Sequence, residues 1–248
     1  MWDDEVEVIS VGAGPGGLAY VAAAADAGLD VLIAAPPRRT DVHAGDVARG
    51  WLPAVSDPVT DEYLAELVAG ATAPAVAGAP DLPVRTLYSP PVQRTRKAVV
   101  ETFVGPRLSV WAGACLASSF GAVLTTVDHW PATMRTAEGL SVGVAPIGAA
   151  DGRALDDWLA DAVHEREIST LEDATLQRLV FEDGRVIGVV FDTPDGEYAV
   201  QARHGVALTP TEPMPTAPVP AGGDIALVGL AGSRFVRLEL VHTGDAPD

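Results

Sequence analysis

The sequence has little cysteine, few basic residues and no long apolar run. Cys115 is its only cysteine, which excludes an intrachain disulfide and a cysteine-based metal cluster. Only 16 basic residues face 34 acidic ones, a net charge of −18. Such acidity argues against nucleic-acid binding, because displacing counterions from a phosphate backbone requires a basic excess. No stretch of about 18 apolar residues is free of glycine or charge, so we expect no membrane span and a cytoplasmic location.

What is present suits a folded α/β protein. Of the 248 residues, 48% are hydrophobic, enough for the core of one large domain. We predict a single domain whose nucleotide-binding core comprises residues 1–37 and 149–248. Residues 38–148 are less regular and are predicted to form an insertion between the two halves, including a loop over Ala71–Pro91.

The first 35 residues have the pattern of a β-strand, a turn, a helix and a second strand. Val6–Val11 is a short apolar run ending in glycine, and Leu18–Ala27 is an alanine-rich helix stopped by Gly28. Val31–Ile33 is a second buried strand. This arrangement, within about 30 residues, is a βαβ unit.

The turn of this unit carries glycines at the spacing G-x-G-x-x-G. Gly12 permits a tight turn, Gly14 lets the backbone approach a pyrophosphate, and Gly17 allows the helix to pack closely on the sheet. The amino end of the helix offers amide donors and a partial positive charge. The turn therefore predicts pyrophosphate binding by Gly12, Ala13, Gly14, Pro15, Gly16 and Gly17, with a tight turn that holds no ligand as the alternative.

The acidic residue that hydrogen-bonds the ribose hydroxyls in such sites is missing. Its place, at the end of the second strand, is taken by Ala35. Losing this interaction costs about 1.5–3 kcal/mol, a ten- to hundredfold loss of affinity. A small residue followed by Arg38 and Arg39 is also how a 2′-phosphate is accommodated, so NADP is an alternative ligand. These arginines are equally consistent with solvated surface residues.

Regular patterns return in the second half of the chain. Leu155, Trp158 and Leu159 belong to a helical apolar stripe. Three alternating runs follow, separated by Asp-Gly turns, and predict a three-stranded antiparallel meander. The runs are Gln177–Glu182, Arg185–Asp192 and Glu197–Ala202. The segment His204–Thr209 then leads into a further apolar strand.

Several of these segments together resemble one protein family. The βαβ unit resembles the first unit of flavin-binding proteins. The stretch Asp151–Leu155, the hairpin Glu182-Asp183-Gly184-Arg185-Val186 and the strand Val206–Leu208 are similar to a second region of the fumarate reductase/3-ketosteroid Δ1-dehydrogenase flavoproteins. The resemblance implies an α/β, Rossmann-like FAD-binding fold with a parallel sheet and the meander. It also implies FAD as cofactor.

The middle of the chain resembles the ketosteroid dehydrogenase branch around Asp57–Leu64, Tyr88–Pro91 and Val100–Leu108. In that branch tyrosines assist proton removal and carbonyl polarisation while flavin accepts hydride. The resemblance implies a catalytic role for Tyr88, against which stands an ordinary role as a loop aromatic. It also implies a ketone or steroid-like substrate.

Departures from the family pattern leave two functions open. The chain has no room for the family's substrate-capping domain, and Pro210 and Glu212 follow the returning strand where the family has small residues. One possibility is a small FAD-binding flavoprotein or flavoprotein subunit that needs a partner subunit or homo-oligomer. The other is a catalytically inactive scaffold of the same fold that works through protein–protein interaction.

Overall fold

The computed structural model describes residues 1–37, 51–72, 81–89, 105–127, 130–211 and 218–244. These residues form four helices and twelve strands. The helices are α1 (Pro15–Asp26), α2 (Pro58–Val68), α3 (Gly105–Leu116) and α4 (Leu155–Glu165). The strands are β1 (Asp4–Val11), β2 (Val31–Ala34), β3 (Val84–Tyr88), β4 (Gly121–Leu124), β5 (Ala132–Arg135), β6 (Ser141–Ala149), β7 (Ser169–Leu171), β8 (Thr175–Glu182), β9 (Arg185–Thr193), β10 (Gly196–Leu208), β11 (Asp224–Leu230) and β12 (Phe235–Gly244).

The strands form one mixed sheet around β1. Strand β1 pairs in parallel with β2 on one side and β10 on the other, and β2 pairs in parallel with β7. Strand β10 also pairs antiparallel with β9, which pairs antiparallel with β8. On the far side of β10, the antiparallel strand β4 connects the sheet to β12. The protein thus has an α/β fold, as expected from the sequence, and its many-stranded sheet is mixed.

Beyond β12 the sheet closes on itself. Strand β12 pairs with β11 and β3, β11 pairs with β6, and β5 joins β6 to β3. The last link is the single pairing of Tyr88 with Arg135. These five strands form a ring, defined here as β12–β11–β6–β5–β3.

Apolar side chains cover both faces of the sheet. On one face, α1 and α4 pack over the sheet through small residues such as Ala19 and Ala22, together with Leu155 and Leu159. Alanines at the contact let α1 lie close to the strands, and a buried strand such as Val31–Ala34 is apolar on both of its faces. The second face packs against α2 and α3, with Cys115 and Phe191 in its core. The parallel strands therefore lie between two apolar layers.

Some elements differ from the sequence-based expectations. Strand β3 lies in the stretch predicted to be a loop. Residues 105–148, predicted to belong to a less regular insertion, supply α3, strands β4 and β5 and nearly all of β6. The segments predicted separately as Glu197–Ala202 and His204–Thr209 form one strand, β10, with a bulge opposite Glu7. None of the helices in the described ranges is long and apolar enough to cross a membrane.

Candidate functional site

The glycine turn between β1 and α1 is tied to the strands on either side. The backbone N–H of Gly12 donates to Ala34 O at 2.8 Å, which joins the turn to the end of β2. The Ser10 hydroxyl donates to Gly12 O at 2.8 Å. Gly12 has a φ of +102°, a conformation that a residue with a side chain would adopt only under strain. The turn lies where the carboxyl ends of β1 and β2 meet, the place where open α/β sheets bind ligands.

The amino end of α1 has no side-chain cap. Gly14 is the N-cap residue and carries no side chain to bond the first-turn amides, and Pro15 begins the helix. No acidic residue lies in the first turn. The partial positive charge of the helix is therefore not offset by the helix's own side chains. This is the electrostatic setting that favours a bound pyrophosphate.

The end of β10 crosses directly over the glycine turn. Thr209 N donates to Val11 O at 3.1 Å. A Cβ placed on Gly14 would lie 2.4 Å from Pro210 O, and one on Gly12 would lie 2.7 Å from Thr209 Cγ2. The absence of side chains at these glycines is thus required by the chain itself. A Cβ on Gly17 would lie 2.3 Å from Ser10 Oγ, as its predicted role in close helix–sheet packing requires.

The backbone of Ala35 is held by the turn that follows β7. Ala35 N donates to Leu171 O and Ala35 O accepts from Ala174 N, both at 2.9 Å. Between these two bonds lie Glu172 and Asp173, both exposed. The structure therefore brings two carboxylate residues beside the position where the sequence lacks one. Sequence spacing from the glycines does not reveal them; the only signal is the acidic pair itself, immediately after a short apolar strand.

The predicted site residues are not all in one place. Gly12 to Gly17 and Ala35 lie together at the carboxyl ends of β1 and β2. Tyr88, at the end of β3, is separated from β1 by the three strands β12, β4 and β10. Its ring is half-buried, with Cε1 3.1 Å from where a Cβ on Gly244 would lie. Arg38 and Arg39 fall outside the described residues, so their role in binding FAD or NADP stays a prediction.

Other chemistry is sparse in the described ranges. No group of three or more histidine, cysteine or carboxylate residues there is placed to hold a metal ion. Cys115 has no solvent exposure, and burial raises the pKa of its thiol, which disfavours the reactive thiolate. The glycine turn remains the site with the clearest chemical purpose.

Comparison of the sequence with models of protein families gives a match that includes this turn. The sequence model of the family described as FAD binding domain matches residues 7–217, most of the chain. The chain belongs to the FAD binding domain family. This match confirms FAD as the cofactor predicted from the sequence, and it agrees with the resemblance to fumarate reductase and 3-ketosteroid dehydrogenase flavoproteins. No curated protein matches the sequence.

Solved structures similar to this FAD-binding-domain protein include several flavoproteins. A 3-ketosteroid-Δ4-(5α)-dehydrogenase from Rhodococcus jostii RHA1 is 18% identical, with 84% of this chain and 46% of that chain covered and a TM-score of 0.35. A flavocytochrome c3 fumarate reductase is 17% identical, with 81% and 33% covered and a TM-score of 0.35. A geranylgeranyl bacteriochlorophyll reductase-like protein from Thermoplasma acidophilum is 16% identical, with 80% and 38% covered and a TM-score of 0.31. The chain spans less than half the length of each.

The residues of the turn fit the pyrophosphate of FAD. The amino end of α1 is uncapped, and Ala13 is the exposed residue of the turn, whose glycines are buried against Thr209, Pro210, Phe120 and Gly121. The ribose end fits less well, because Ala35 supplies no carboxylate. Glu172 and Asp173 lie in the turn between Leu171 and Ala174, the two residues whose backbones are hydrogen-bonded to Ala35.

Proposed function

We propose that this chain is the FAD-binding unit of a cytoplasmic oxidoreductase that dehydrogenates a ketone or steroid-like substrate. The uncapped amino end of α1 behind three spaced glycines, in a chain of the FAD binding domain family, carries the proposal. The first-turn amides would hold the pyrophosphate, and the close packing of Thr209 and Pro210 would exclude water from one side of it. FAD, when bound, supplies the hydride-accepting chemistry.

For the ribose, we infer that Glu172 and Asp173 take the place of the missing acid at position 35. Both are exposed and both lie in the turn whose backbone is bonded to Ala35. Asp173 has a φ of 55°, so this turn is a defined, left-handed one rather than an extended run. A carboxylate presented from this turn would accept hydrogen bonds from the ribose hydroxyls as one at the end of β2 does.

The substrate and the reacting groups are proposed from resemblance. The ketone or steroid-like substrate and the role of Tyr88 rest on the resemblance of Asp57–Leu64, Tyr88–Pro91 and Val100–Leu108 to the ketosteroid dehydrogenase branch. We propose that a partner subunit or a second copy completes the substrate site. Tyr88 lies at the edge where the ring closes, so it would act on a substrate held there rather than at the glycine turn.

The test is an FAD titration of the purified protein, followed by absorbance between about 350 and 500 nm, where flavin absorbs. We expect one FAD per chain. Glu172→Gln and Asp173→Asn should each weaken FAD binding about tenfold, the cost of one charge-assisted hydrogen bond. Asp183→Asn is the matched control, because Asp183 is another exposed turn aspartate with a positive φ, 48°, far from the turn that holds Ala35.

Two results would contradict these proposals separately. A colourless protein that ignores added FAD rejects the FAD-binding function. FAD binding that is unchanged in both acidic variants keeps that function and rejects the assignment of the ribose to Glu172 and Asp173.

One observation favours the second candidate, a scaffold without a cofactor. The approach of Pro210 O to Gly14 explains why glycine is required there even with no ligand. A scaffold acts through a protein interface, so it predicts an oligomer or hetero-complex whose stability does not depend on FAD. Size-exclusion chromatography coupled to light scattering, with and without FAD, distinguishes this from an FAD-dependent assembly.

A further inference from the structure

A cavity lies beyond the end of β4 that points away from the glycine turn. Strand β4 begins at the turn, where a Cβ on Gly16 would lie 2.7 Å from Gly121 O. The strand ends at Leu124, and Thr125 follows it, about 13 Å from Gly121 at the rise of a β-strand. A cavity of about 510 Å³ opens there, and Thr125, Trp130, Arg185 and Arg234 contribute to its wall. We call it the arginine cavity.

The charge of the arginine cavity is opposite to that of the chain. The whole sequence has 34 acidic and 16 basic residues, yet the charged residues in the described wall are Arg185 and Arg234, with no carboxylate. Glu182 lies opposite Arg185 in the β8–β9 hairpin but does not line the cavity. In the described part of the chain, neither guanidinium forms an ion pair with a carboxylate. An anion entering here meets two positive charges in an otherwise repelling molecule.

Hydrogen-bond donors accompany the two arginines. Arg234 Nη1 donates to the Tyr63 hydroxyl at 3.1 Å, which orients this guanidinium and leaves its other N–H groups available. Thr125 Oγ1 accepts from Val206 N at 2.9 Å and Ser233 Oγ accepts from Phe235 N at 3.0 Å. Neither O–H group donates a hydrogen bond to another residue in the described part of the chain, so both can donate to a ligand. Donors without competing carboxylates are what an oxyanion requires.

One wall of the cavity is the indole of Trp130, which packs on glycine backbone. Gly143 and Gly229 are paired across β6 and β11, and Trp130 lies over this pair. A Cβ on Gly143 would lie 2.2 Å from Trp130 Cδ2, and one on Gly229 would lie 2.4 Å from Trp130 Cζ2. The two glycines therefore hold the indole close against the sheet backbone. An aromatic wall beside cationic groups suits a planar apolar ligand that carries a charge.

We propose that the arginine cavity binds a small planar organic anion, with its carboxylate or phosphate between Arg185 and Arg234 and its ring against Trp130. Each guanidinium offers a fork of donors that matches either oxyanion. The site is separate from the glycine turn, so this proposal stands whether or not the chain binds FAD.

Isothermal titration calorimetry of the whole chain tests it with probes that share one ring system. Naphthalene-2-carboxylate is expected to bind one per chain, at least tenfold more tightly than the uncharged naphthalene-2-carboxamide. Titration with 2-naphthyl phosphate then identifies the head group, because the preferred oxyanion binds the tighter of the two. Saturating FAD is expected to leave each affinity unchanged, and competition by FAD would place the anion at the cofactor site and overturn the proposal.

Variants locate the site within the chain. Arg185→Gln and Arg234→Gln should each weaken binding of the preferred anion at least tenfold while leaving the carboxamide unaffected. Arg203→Gln is the matched control, an exposed arginine on β10 outside the cavity that is paired with Glu5. If a glutamine variant does not fold, the comparison of anion with carboxamide on the unaltered chain still decides. Equal binding of anion and carboxamide, or equal losses in all three variants, overturns the proposal.

Discussion

Gly14 is the residue where the structural and the functional demands on the glycine turn meet. A pyrophosphate requires close approach to its backbone, and Pro210 O already makes such an approach from one side. Gly14 itself is buried and Ala13 beside it is exposed, so a pyrophosphate would reach the turn at Ala13 and the amino end of α1. Glycine at this position is therefore constrained by packing before any ligand is considered.

Substituting alanine for Gly14 measures how much the stability of the fold depends on the close packing at this position. The new Cβ would lie 2.4 Å from Pro210 O, so the crossing strand must shift. We expect Gly14→Ala to lower the free energy of unfolding by about 1–3 kcal/mol, the usual cost of overpacking. Gly70→Ala is the control, because nothing lies within 4 Å of a Cβ there and its φ is not positive. Urea unfolding of both variants measures the difference, and equal stabilities would show that the crossing chain moves freely.

Asp57 is the N-cap residue of α2. Its carboxylate accepts bonds from Thr60 Oγ1 at 2.7 Å and Thr60 N at 2.8 Å. Thr60 Oγ1 in turn accepts from Leu179 N at 2.9 Å, which ties the helix start to β8. The Thr60 side-chain bond, followed by its backbone bond, lowers the pKa of Asp57.

Asp57→Ala is expected to lower the free energy of unfolding by about 1 kcal/mol at pH 7, the usual value of an N-cap. Because the pKa of Asp57 is lower in the folded protein, the stabilisation is present above about pH 4 and is lost as the pH falls through the lowered value. The stability difference between wild type and variant should therefore shrink in acid. Asp57→Asn should keep most of the stability at pH 7, since asparagine caps helices equally well; a loss equal to that of alanine would argue against capping.

At the scale of elements, local pattern predicted some parts of the fold and could not predict others. The turn, α1 and β2 follow from signals within 35 residues, and β8 and β9 begin and end within two residues of their predicted limits. Strand β3 has exposed Val84 and Thr86 and lies among prolines, so it lacks a strand's apolar alternation. It exists because β12, more than 150 residues later, pairs with it.

The candidate site likewise has one part that local sequence predicted and another part that it could not predict. The glycine spacing is local, and it located the turn. The contact of Pro210 with Gly14 and the bonds of Ala35 to the turn after β7 join residues far apart in sequence, and no spacing rule encodes them. For the same reason, the acidic pair beside Ala35 could only be recognised once the strands were in place.

An ion-pair network links two neighbouring strands of the ring, β3 and β12. Glu239 on β12 is fully buried and accepts bonds from Arg85 Nη2 at 2.9 Å and Arg237 Nη2 at 2.6 Å. The two guanidinium carbons lie 5.4 and 5.1 Å from the centroid of the Trp111 ring. Hydrogen bonding to Glu239 raises the pKa of Arg85. The carboxylate thus joins β3 to β12, and its two arginine partners lie beside Trp111 of α3.

Removing that carboxylate should be costly. Glu239→Gln leaves two partly buried guanidiniums without their counter-charge, and we expect a loss of about 3 kcal/mol in the free energy of unfolding. Glu197→Gln is the control, because Glu197 and its partner Arg178 are both largely exposed and such a pair contributes about 0–1 kcal/mol. Thermal unfolding of the two variants measures this. A loss for Glu239→Gln no larger than the control would mean that the aromatic contacts hold the ring without the charge.

At the scale of the whole molecule, Cys115 reports opening of the core. Its thiol has no solvent exposure and lies in the cluster that packs α3 against the sheet. Burial also raises its pKa, so a thiol reagent should react only with molecules that have unfolded around it. When reclosing is faster than labelling, the labelling rate is proportional to the open fraction.

The labelling rate of Cys115 therefore measures whether FAD stabilises the folded protein. A ligand that binds only the folded state at a concentration 100 times its Kd stabilises that state by about 2.7 kcal/mol. We therefore expect FAD at this excess to slow the labelling of Cys115 about a hundredfold, while the urea-unfolded chain labels at the same rate with or without FAD. Because the thiol already has no solvent exposure in the folded protein, the slowing would arise from linkage rather than from shielding. Labelling that FAD does not slow would favour the scaffold over the flavoprotein, since a fold stabilised by its own packing gains nothing from the cofactor.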